Sequence, residues 1–193
     1  MTRKTLVGTT LAVLTAITLA GCSNNPGNSH NPSTTKTTTA TSSNERNDAD
    51  ITFAQDMIPH HVGALDMAKL AQGRTTNPKV LDLATRIEKA QAPEIKTMTE
   101  WLKTWGAEAP GTHHGTAGHD MDPTESEKLK QAKDTEFDMM FLAMMIKHHQ
   151  GAIDMANTEL RQGRNAEAKQ LAQRIIDAQQ AEIEEMKDLL PAG

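Results

Sequence analysis

The sequence predicts an all-α protein that folds as an antiparallel four-helix bundle made of two copies of one helical hairpin. Three observations support this. Apolar residues recur every three or four positions over long stretches, and no stretch has the alternating pattern of a strand. A segment that begins at Met57 returns at Met145, so 88 residues separate the two copies. The connections inside each copy are short, which favours antiparallel neighbours.

The first copy supplies two predicted helices with clear boundaries. The first helix follows Asp50, which we interpret as its N-cap, and ends before Gly73. Asn77 and Pro78 open the second helix as N-cap and first residue, and Gly106 ends it. Both stretches place their apolar residues on one stripe, as expected for helices of a bundle.

The second copy repeats this scheme. An Asp-Pro-Thr-Glu sequence at 122–125 predicts the start of one long helix that runs to about Gln162. A last helix is predicted from about Asn165 to Leu190, just before Pro191. The sequence therefore predicts four helices in all.

Composition divides the chain into three parts. Residues 1–21 have a basic start, a short apolar stretch and small residues before Cys22, which is the pattern of an export signal. Residues 22–49 are rich in Ser, Thr and Asn and predict a disordered tether. The duplicated four-helix domain fills residues 50–193, with copy one at 50–105, a His-rich loop at 106–122 and copy two at 123–193.

Cys22 is the only cysteine, and the Leu-Ala-Gly-Cys sequence that ends in it resembles the lipobox of bacterial lipoproteins. This predicts that Cys22 is acylated and that the protein is exported and lipid-anchored on the outer face of the cell membrane. The alternative is a free thiol beyond an ordinary cleavage site. An acylated Cys22 would leave the folded part no thiol for a disulfide, a thiolate metal site or a cysteine nucleophile.

The charge of the chain limits its partners. The formal net charge is -5, and removal of a signal that carries Arg3 and Lys4 makes it -7. This negative charge argues against nucleic acid and favours the attraction of cations. We therefore expect a metal ion as ligand and contact with a membrane only through the lipid anchor. A homo-oligomer and an unidentified protein partner stay open.

Each copy carries two adjacent histidines and several methionines at helical spacing, with the histidines at the edges of the apolar face. Imidazole nitrogen and thioether sulfur bind soft or borderline metals. A single histidine or methionine on such a face is more often a core residue. The repetition of the whole set favours a metal site. Its members in the first and second copy are Met57 and Met145, His60 and His148, His61 and His149, and Met67 and Met155.

The second helix of each copy places a carboxylate on its apolar stripe. These residues are Glu94, close to Met98, and Glu182, close to Met186. A carboxylate on a core face needs a partner. Two interpretations are equally supported: a hydrogen bond from histidine to glutamate that fixes the packing, or a role as metal ligand or as the group that orients an imidazole.

The loop between the copies has a further set of candidate ligands in a small, glycine-rich sequence. A flexible segment of this kind can capture a metal ion, although a surface loop with incidental histidines explains it nearly as well. The candidates are His113, His114, His119 and Met121.

The two His-His-x-Gly-Ala-hydrophobic-Asp-Met-Ala motifs, each preceded by Met-Ile, resemble those of the bacterial domain-of-unknown-function family 305 over about residues 50 to 190. The resemblance implies a ferritin-like bundle, often exported or lipid-anchored, that binds copper through His and Met. Many relatives have a more methionine-rich loop between the copies, where this chain keeps only Met121. The residues to which the resemblance extends are Met57, His60, His61, Met67, Met145, His148, His149 and Met155.

We favour a surface-anchored protein that binds copper for buffering, sequestration or resistance and is not an enzyme. Thioether ligands favour Cu(I), whereas imidazole and carboxylate allow Cu(II) or Zn(II). One alternative is a ferritin-like di-metal oxidase, which requires Glu-x-x-His on two helices, a motif that this sequence lacks. The other is an interaction module in which His and Met only fill the core.

The acylation hypothesis predicts the behaviour of the variant Cys22→Ala. This variant should appear in the medium or stay unprocessed, because the sequence provides no other membrane signal. Fractionation of cells that express wild type, Cys22→Ala or the tether control Ser29→Ala measures the distribution. Normal processing of Cys22→Ala together with continued sedimentation with membranes would show that the anchor hypothesis is wrong.

Overall fold

The structure, a computed structural model, describes residues 45–108 and 123–191, and it confirms an all-α helical bundle. No strand forms within these two ranges. The signal, Cys22 and the loop ligands His113, His114, His119 and Met121 lie outside them. The five helices are α1 (Asp48–Leu70), α2 (Pro78–Trp105), α3 (Pro123–Gln131), α4 (Asp134–Gln162) and α5 (Ala166–Leu189).

None of these five helices, in the part of the chain that the structure describes, is both long and apolar enough to cross a membrane.

The residues that begin and end α2 agree with the sequence analysis. Asn77 caps its first turn by accepting from the Lys79 N–H, and Pro78 is its first residue. Gly106 ends the helix with a φ of 64°. Glycine adopts this left-handed conformation without a steric clash because it has no Cβ atom.

The start of α1 differs from the prediction that Asp50 is its N-cap. The cap is Asn47, whose side chain accepts from the Asp50 N–H while the Asp50 carboxylate accepts from the Asn47 N–H. This reciprocal pair is a capping box, which uses an acid three residues after the cap. Asp50 is therefore inside the helix and buried.

The prediction of one long helix from residue 122 to Gln162 is wrong, because the helix is interrupted between α3 and α4. Asp134 has a φ of 50°, and its N–H donates to the carbonyl of Arg74 at 2.6 Å instead of to a carbonyl of α3. Asp is among the few non-glycine residues that adopt this conformation. The break lets α3 fold back so that Leu129 is fully buried.

Helices α1 and α4 pack together in antiparallel order at the centre of the bundle. The Asn47 side chain donates to the carbonyl of Gln162, so α1 begins where α4 ends. Helix α2 packs against α1, and α5 packs against α4. On the outer surface, Arg86 of α2 binds both carboxylate oxygens of Glu185 of α5, at 2.6 and 2.8 Å.

The core consists of two apolar clusters. The first, here called the Trp105 cluster, contains Phe53, Met57, Met98, Leu102, Trp105 and Leu171, with Met155 packed against it. The second, the Leu129 cluster, contains Met67, Leu83, Leu129, Phe137, Met145 and Met186. Along each of the four long helices, buried or half-buried polar residues lie between the part that enters one cluster and the part that enters the other, except that Ile153 of α4 joins the Leu129 cluster from beyond them.

Candidate metal centre

The polar residues between the two apolar clusters form one layer across the bundle, here called the polar layer. Its four histidines are almost completely buried, although the sequence placed them at the edges of the apolar face. Helix α1 contributes two of them and α4 the other two, while α2 and α5 each add a glutamine and a glutamate. The members are His60, His61, Gln91, Glu94, His148, His149, Gln179 and Glu182.

Each copy contributes one histidine–glutamate pair to the polar layer. His61 Nε2 lies 2.7 Å from Glu94 Oε2, and His149 Nε2 lies 2.7 Å from Glu182 Oε2. The imidazoles have no exposure, whereas the Glu94 and Glu182 side chains are 21% and 14% exposed. A carboxylate can only accept, so the imidazole donates through Nε2–H. Both glutamates therefore contact a histidine, and this contact is common to a packing role and to a role in orienting the imidazole.

The other two histidines meet where α1 crosses α4. The rings of His60 and His148 stack with their centroids 3.7 Å apart and their planes at 19°. His148 Nε2 also donates to the backbone carbonyl of His60 at 2.9 Å. Within the polar layer, two imidazoles thus make the contact between the central helices.

Burial keeps these stacked imidazoles neutral. It lowers the pKa of His60 to about 3, with further lowering from the nearby His61 and His149. Burial also holds the pKa of His148 well below its usual range, and the neighbouring His60 and His149 act in the same direction. A neutral imidazole has one nitrogen lone pair available to a metal ion, which a protonated imidazole lacks.

Three of the four imidazoles present that lone pair on the same atom. His61, His148 and His149 each use Nε2–H for a hydrogen bond, which in the neutral ring leaves Nδ1 as the acceptor. Each of these Nδ1 atoms is buried and has no hydrogen-bond partner among the described residues. Such atoms are rare in native interiors and require an explanation. A bound metal ion is one, because a histidine ligand commonly donates its other N–H to a carboxylate or a carbonyl.

The sequence analysis did not select the two glutamines of the polar layer. Gln91 and Gln179 are only 2% and 4% exposed, and each lies one turn before the glutamate of its helix. Within the described ranges, both amide atoms of Gln91 and the Oε1 atom of Gln179 have no hydrogen-bond partner. Two glutamines 88 residues apart on matched apolar stripes were the available signal, since a buried amide requires partners.

The six candidate methionines of the helices fall into two sets of three. Each set draws on α1 and α4 and adds one residue from α2 or α5. Met57, Met98 and Met155 belong to or pack against the Trp105 cluster. Met67, Met145 and Met186 belong to the Leu129 cluster. The structure therefore places a set of thioethers on each side of the polar layer.

The geometry brings the helical candidates to one region, but it leaves metal ligation by them a prediction. In residues 45–108 and 123–191, no three side chains of His, Cys, Asp or Glu are arranged so that they could hold a metal ion together. The loop candidates cannot be compared with the layer, because they fall outside these ranges. The donor set still fits copper, since it combines neutral imidazoles with thioethers.

The histidine–glutamate pairs predict the cost of removing one partner. Glu94→Ala or Glu182→Ala leaves a buried Nε2–H without its acceptor and should lower the free energy of unfolding by about 1–3 kcal/mol. Partial exposure of both glutamates lets water replace some of the lost bond, so we expect the lower half of this range. Urea denaturation of the apo protein measures the change.

Glu184→Ala is the matched control, because its ion pair with Lys187 is well exposed on the helix that carries Glu182. We expect a change of at most about 0.5 kcal/mol for this variant. A loss in Glu94→Ala and Glu182→Ala no larger than in the control would contradict a structural contribution of the pairs.

The lowered pKa values of His60 and His148 predict a loss of stability in acid. Because the folded pKa lies below the ordinary 6.5, the unfolded chain binds more protons between pH 6.5 and about 3. The free energy of unfolding should therefore fall on acidification through this window, by up to about 1.4 kcal/mol per pH unit for each histidine. His148→Gln should show a shallower slope than wild type in melts from pH 7 to 4. Equal slopes would rule out this contribution.

Comparison with known proteins agrees with the geometry. Residues 50–190 match the model of a domain of unknown function, DUF305. A DUF305 protein from Streptomyces coelicolor, named a putative secreted protein, has a similar crystal structure, with 29% identity over 74% of this chain and 91% of that one and a TM-score of 0.69. A DUF305 fragment from Deinococcus radiodurans shares 30% identity over 74% and 95% of the two chains, with a TM-score of 0.68. No functionally curated protein matches the sequence.

Structures of CopM are also similar to this chain. Its Cu(I)-bound form shares 34% identity over 72% of this chain and 94% of that one, with a TM-score of 0.64. CopM has also been solved in Cu(II)-bound and Ag-bound forms. A metal-binding protein is thus among the structural relatives. The family match spans most of the chain and the whole described bundle, and the chain belongs to the DUF305 family.

Proposed function

We propose that this protein binds copper outside the cytoplasm, with a preference for Cu(I), and that it buffers or sequesters the metal rather than catalysing a reaction. The observation that carries the proposal is the shared state of His61, His148 and His149. Each donates through Nε2–H and keeps a buried Nδ1 without a partner among the described residues. These three atoms are candidate donors for a soft or borderline cation, to be completed by thioethers, since no three of the described His, Cys, Asp and Glu side chains are arranged to hold one ion.

The thioethers support the choice of metal. A set of three methionines lies on each side of the polar layer, and thioether sulfur favours Cu(I) over harder ions. Imidazole ligands without thioethers would also bind Cu(II) and Zn(II). CopM, which is similar to this chain, has been solved with Cu(I), Cu(II) and Ag, and this similarity supports copper as the ligand of the present protein.

In this proposal, Glu94 and Glu182 act through the histidines. Each accepts from an imidazole Nε2–H, which fixes the ring and directs Nδ1 into the core. A carboxylate in this position increases the basicity of the ligand, and its loss typically weakens metal binding 10- to 100-fold. Because the glutamates reach the surface, they also connect the buried rings to solvent.

Export and anchoring complete the proposal. The lipobox-like sequence at Cys22 and the following tether support attachment to the outer face of the membrane, with the bundle held away from it. A copper-binding protein at this position would intercept the metal before it reaches the cytoplasm. The Streptomyces coelicolor relative carries the name putative secreted protein, which supports export.

The experiment is competition for Cu(I) with a chromophoric chelator under anaerobic conditions, with protein that lacks a His-tag. Wild type should withdraw copper from the chelator. The layer variant, with glutamine at His60, His61, His148 and His149, should lose at least about tenfold in affinity, because glutamine offers no imidazole lone pair. Glu94→Ala should bind about 10- to 100-fold more weakly.

The matched control replaces His113, His114 and His119 of the loop with glutamine and leaves the bundle intact. This variant should compete as wild type does. Loss of binding in the loop variant with retention in the layer variant would place the site in the loop instead. Failure of wild type to take copper, with Zn(II) or Fe(II) in the purified protein, would reject the copper proposal.

A further inference from the structure

Two buried carboxyl groups meet at the end of the bundle where α1 begins and α4 ends. Asp50 is fully buried and Glu159 is 1% exposed. The Asp50 carboxylate accepts from the backbone N–H of Asn47 at 2.6 Å, of Arg164 at 3.0 Å and of Asn165 at 2.8 Å. It therefore joins the first turn of α1 to the turn between α4 and α5.

Glu159 reaches this position from the last turn of α4. Neither of its oxygens has an N–H or O–H partner from the residues that the structure describes. A hydrogen bond between its carboxyl group and the Asp50 carboxylate requires a proton. Burial, followed by the hydrogen bond to Asp50 and the charge of Asp50, raises the pKa of Glu159 to about 8, against a smaller opposing effect of Lys169.

The backbone of the α4–α5 turn is shaped around this group. A Cβ atom at Gly163 would lie 2.0 Å from Glu159 Oε1, so a larger residue there would displace the carboxyl group from this position. Lys169 of α5 donates from Nζ to the Gly163 carbonyl at 3.1 Å. The side chain thus belongs to a fitted contact rather than to a loosely packed surface.

The other charged groups that face this position are mostly acidic. A groove of about 560 Å³ between α1 and α4 is lined by Asp48 and Asp56 from α1, and by Asp154 and Glu159 from α4. Lys169 from α5 and Arg164 from the turn are the basic residues nearest in the contacts above. A second buried negative charge is costly in this setting.

The opposite end of the bundle lacks this arrangement. At an offset of 88 residues, Ala71 stands in place of Glu159 and Asp138 in place of Asp50. There the Asn77 side chain donates to Asp138 Oδ2 at 2.9 Å. A single carboxylate with a neutral donor therefore serves at one end, whereas the other end requires two carboxyl groups and a proton.

We propose that Asp50 and Glu159 form a proton-dependent latch between α1 and the α4–α5 turn, closed while Glu159 is protonated and released when it ionises. The sign of the effect follows from linkage. The unfolded group has an ordinary pKa of 4.5 and the folded group one of about 8, so the folded protein holds the extra proton between these values. Stability and closure at this end should fall as pH rises through this window. The latch uses no residue of the polar layer.

The direct test is a carbon-13 NMR titration of glutamate carboxyl groups in the mature, metal-free wild-type protein from pH 4 to 10. One glutamate should titrate with a midpoint near 8. Amide hydrogen exchange at Arg164 and Asn165, corrected for the intrinsic rate, should show about tenfold less protection at pH 9 than at pH 6.5. All glutamates titrating below pH 6 would overturn the proposal without the need for any variant.

Glu159→Gln supplies a permanent neutral donor and tests the same idea by mutation. Its melting temperature should rise relative to wild type as pH increases from 6 to 9. The glutamate resonance that titrates near pH 8 in wild type should be absent. Glu184→Gln, an exposed change on α5, should keep the wild-type profile. Parallel profiles for wild type and Glu159→Gln would overturn the latch.

Discussion

The structure depends on the burial of a polar layer in the middle of an otherwise apolar core. Four imidazoles lose water there, and an unpartnered polar group in such a place costs several kcal/mol. The bundle limits this cost in two ways. His61 and His149 donate to glutamates at the edge of the core, and His60 and His148 stack and stay neutral. Each solution requires fixed distances between helices, so the polar layer sets how α2 lies on α1, how α5 lies on α4 and where α1 crosses α4.

The free-energy cost of those polar atoms in the polar layer that stay without a partner among the described residues favours the binding of a ligand there. Buried Nδ1 atoms and glutamine amide atoms that find no partner within residues 45–108 and 123–191 destabilise the apo state, and a ligand that satisfies them recovers that free energy on binding. Apolar clusters pack on both sides of the layer, so in the copper proposal the donors are in position before the metal arrives. Neutral rings also need no proton released before they bind a cation.

Local signals in the sequence were sufficient for most of the fold and for part of the site. Helical periodicity, the Asn77 and Gly106 caps and the 88-residue offset identified the long helices and the histidine sets, because these features depend on neighbours within a few turns. The break before α4 could not be read locally, since it depends on the N–H of Asp134 meeting the carbonyl of Arg74, 60 residues away. Periodicity likewise placed the histidines at the edge of the apolar face, because it does not count the second helix that covers them.

The two ends of the bundle differ, although they are built from matched positions 88 residues apart in the two copies. At one end Leu129 of α3 is buried in the cluster that contains Phe137, Phe141 and Met144. At the other end the residues matched to these three are Ala49, Phe53 and Asp56, and they line the acidic groove. Burial raises the pKa of Asp56 as well. Because the polar layer is the same in both copies while the ends are not, the constraint on the middle of the bundle is stricter. The Leu129 side chain covers one end and two buried carboxyl groups lie at the other, whereas both copies supply the same histidine–glutamate pair to the middle.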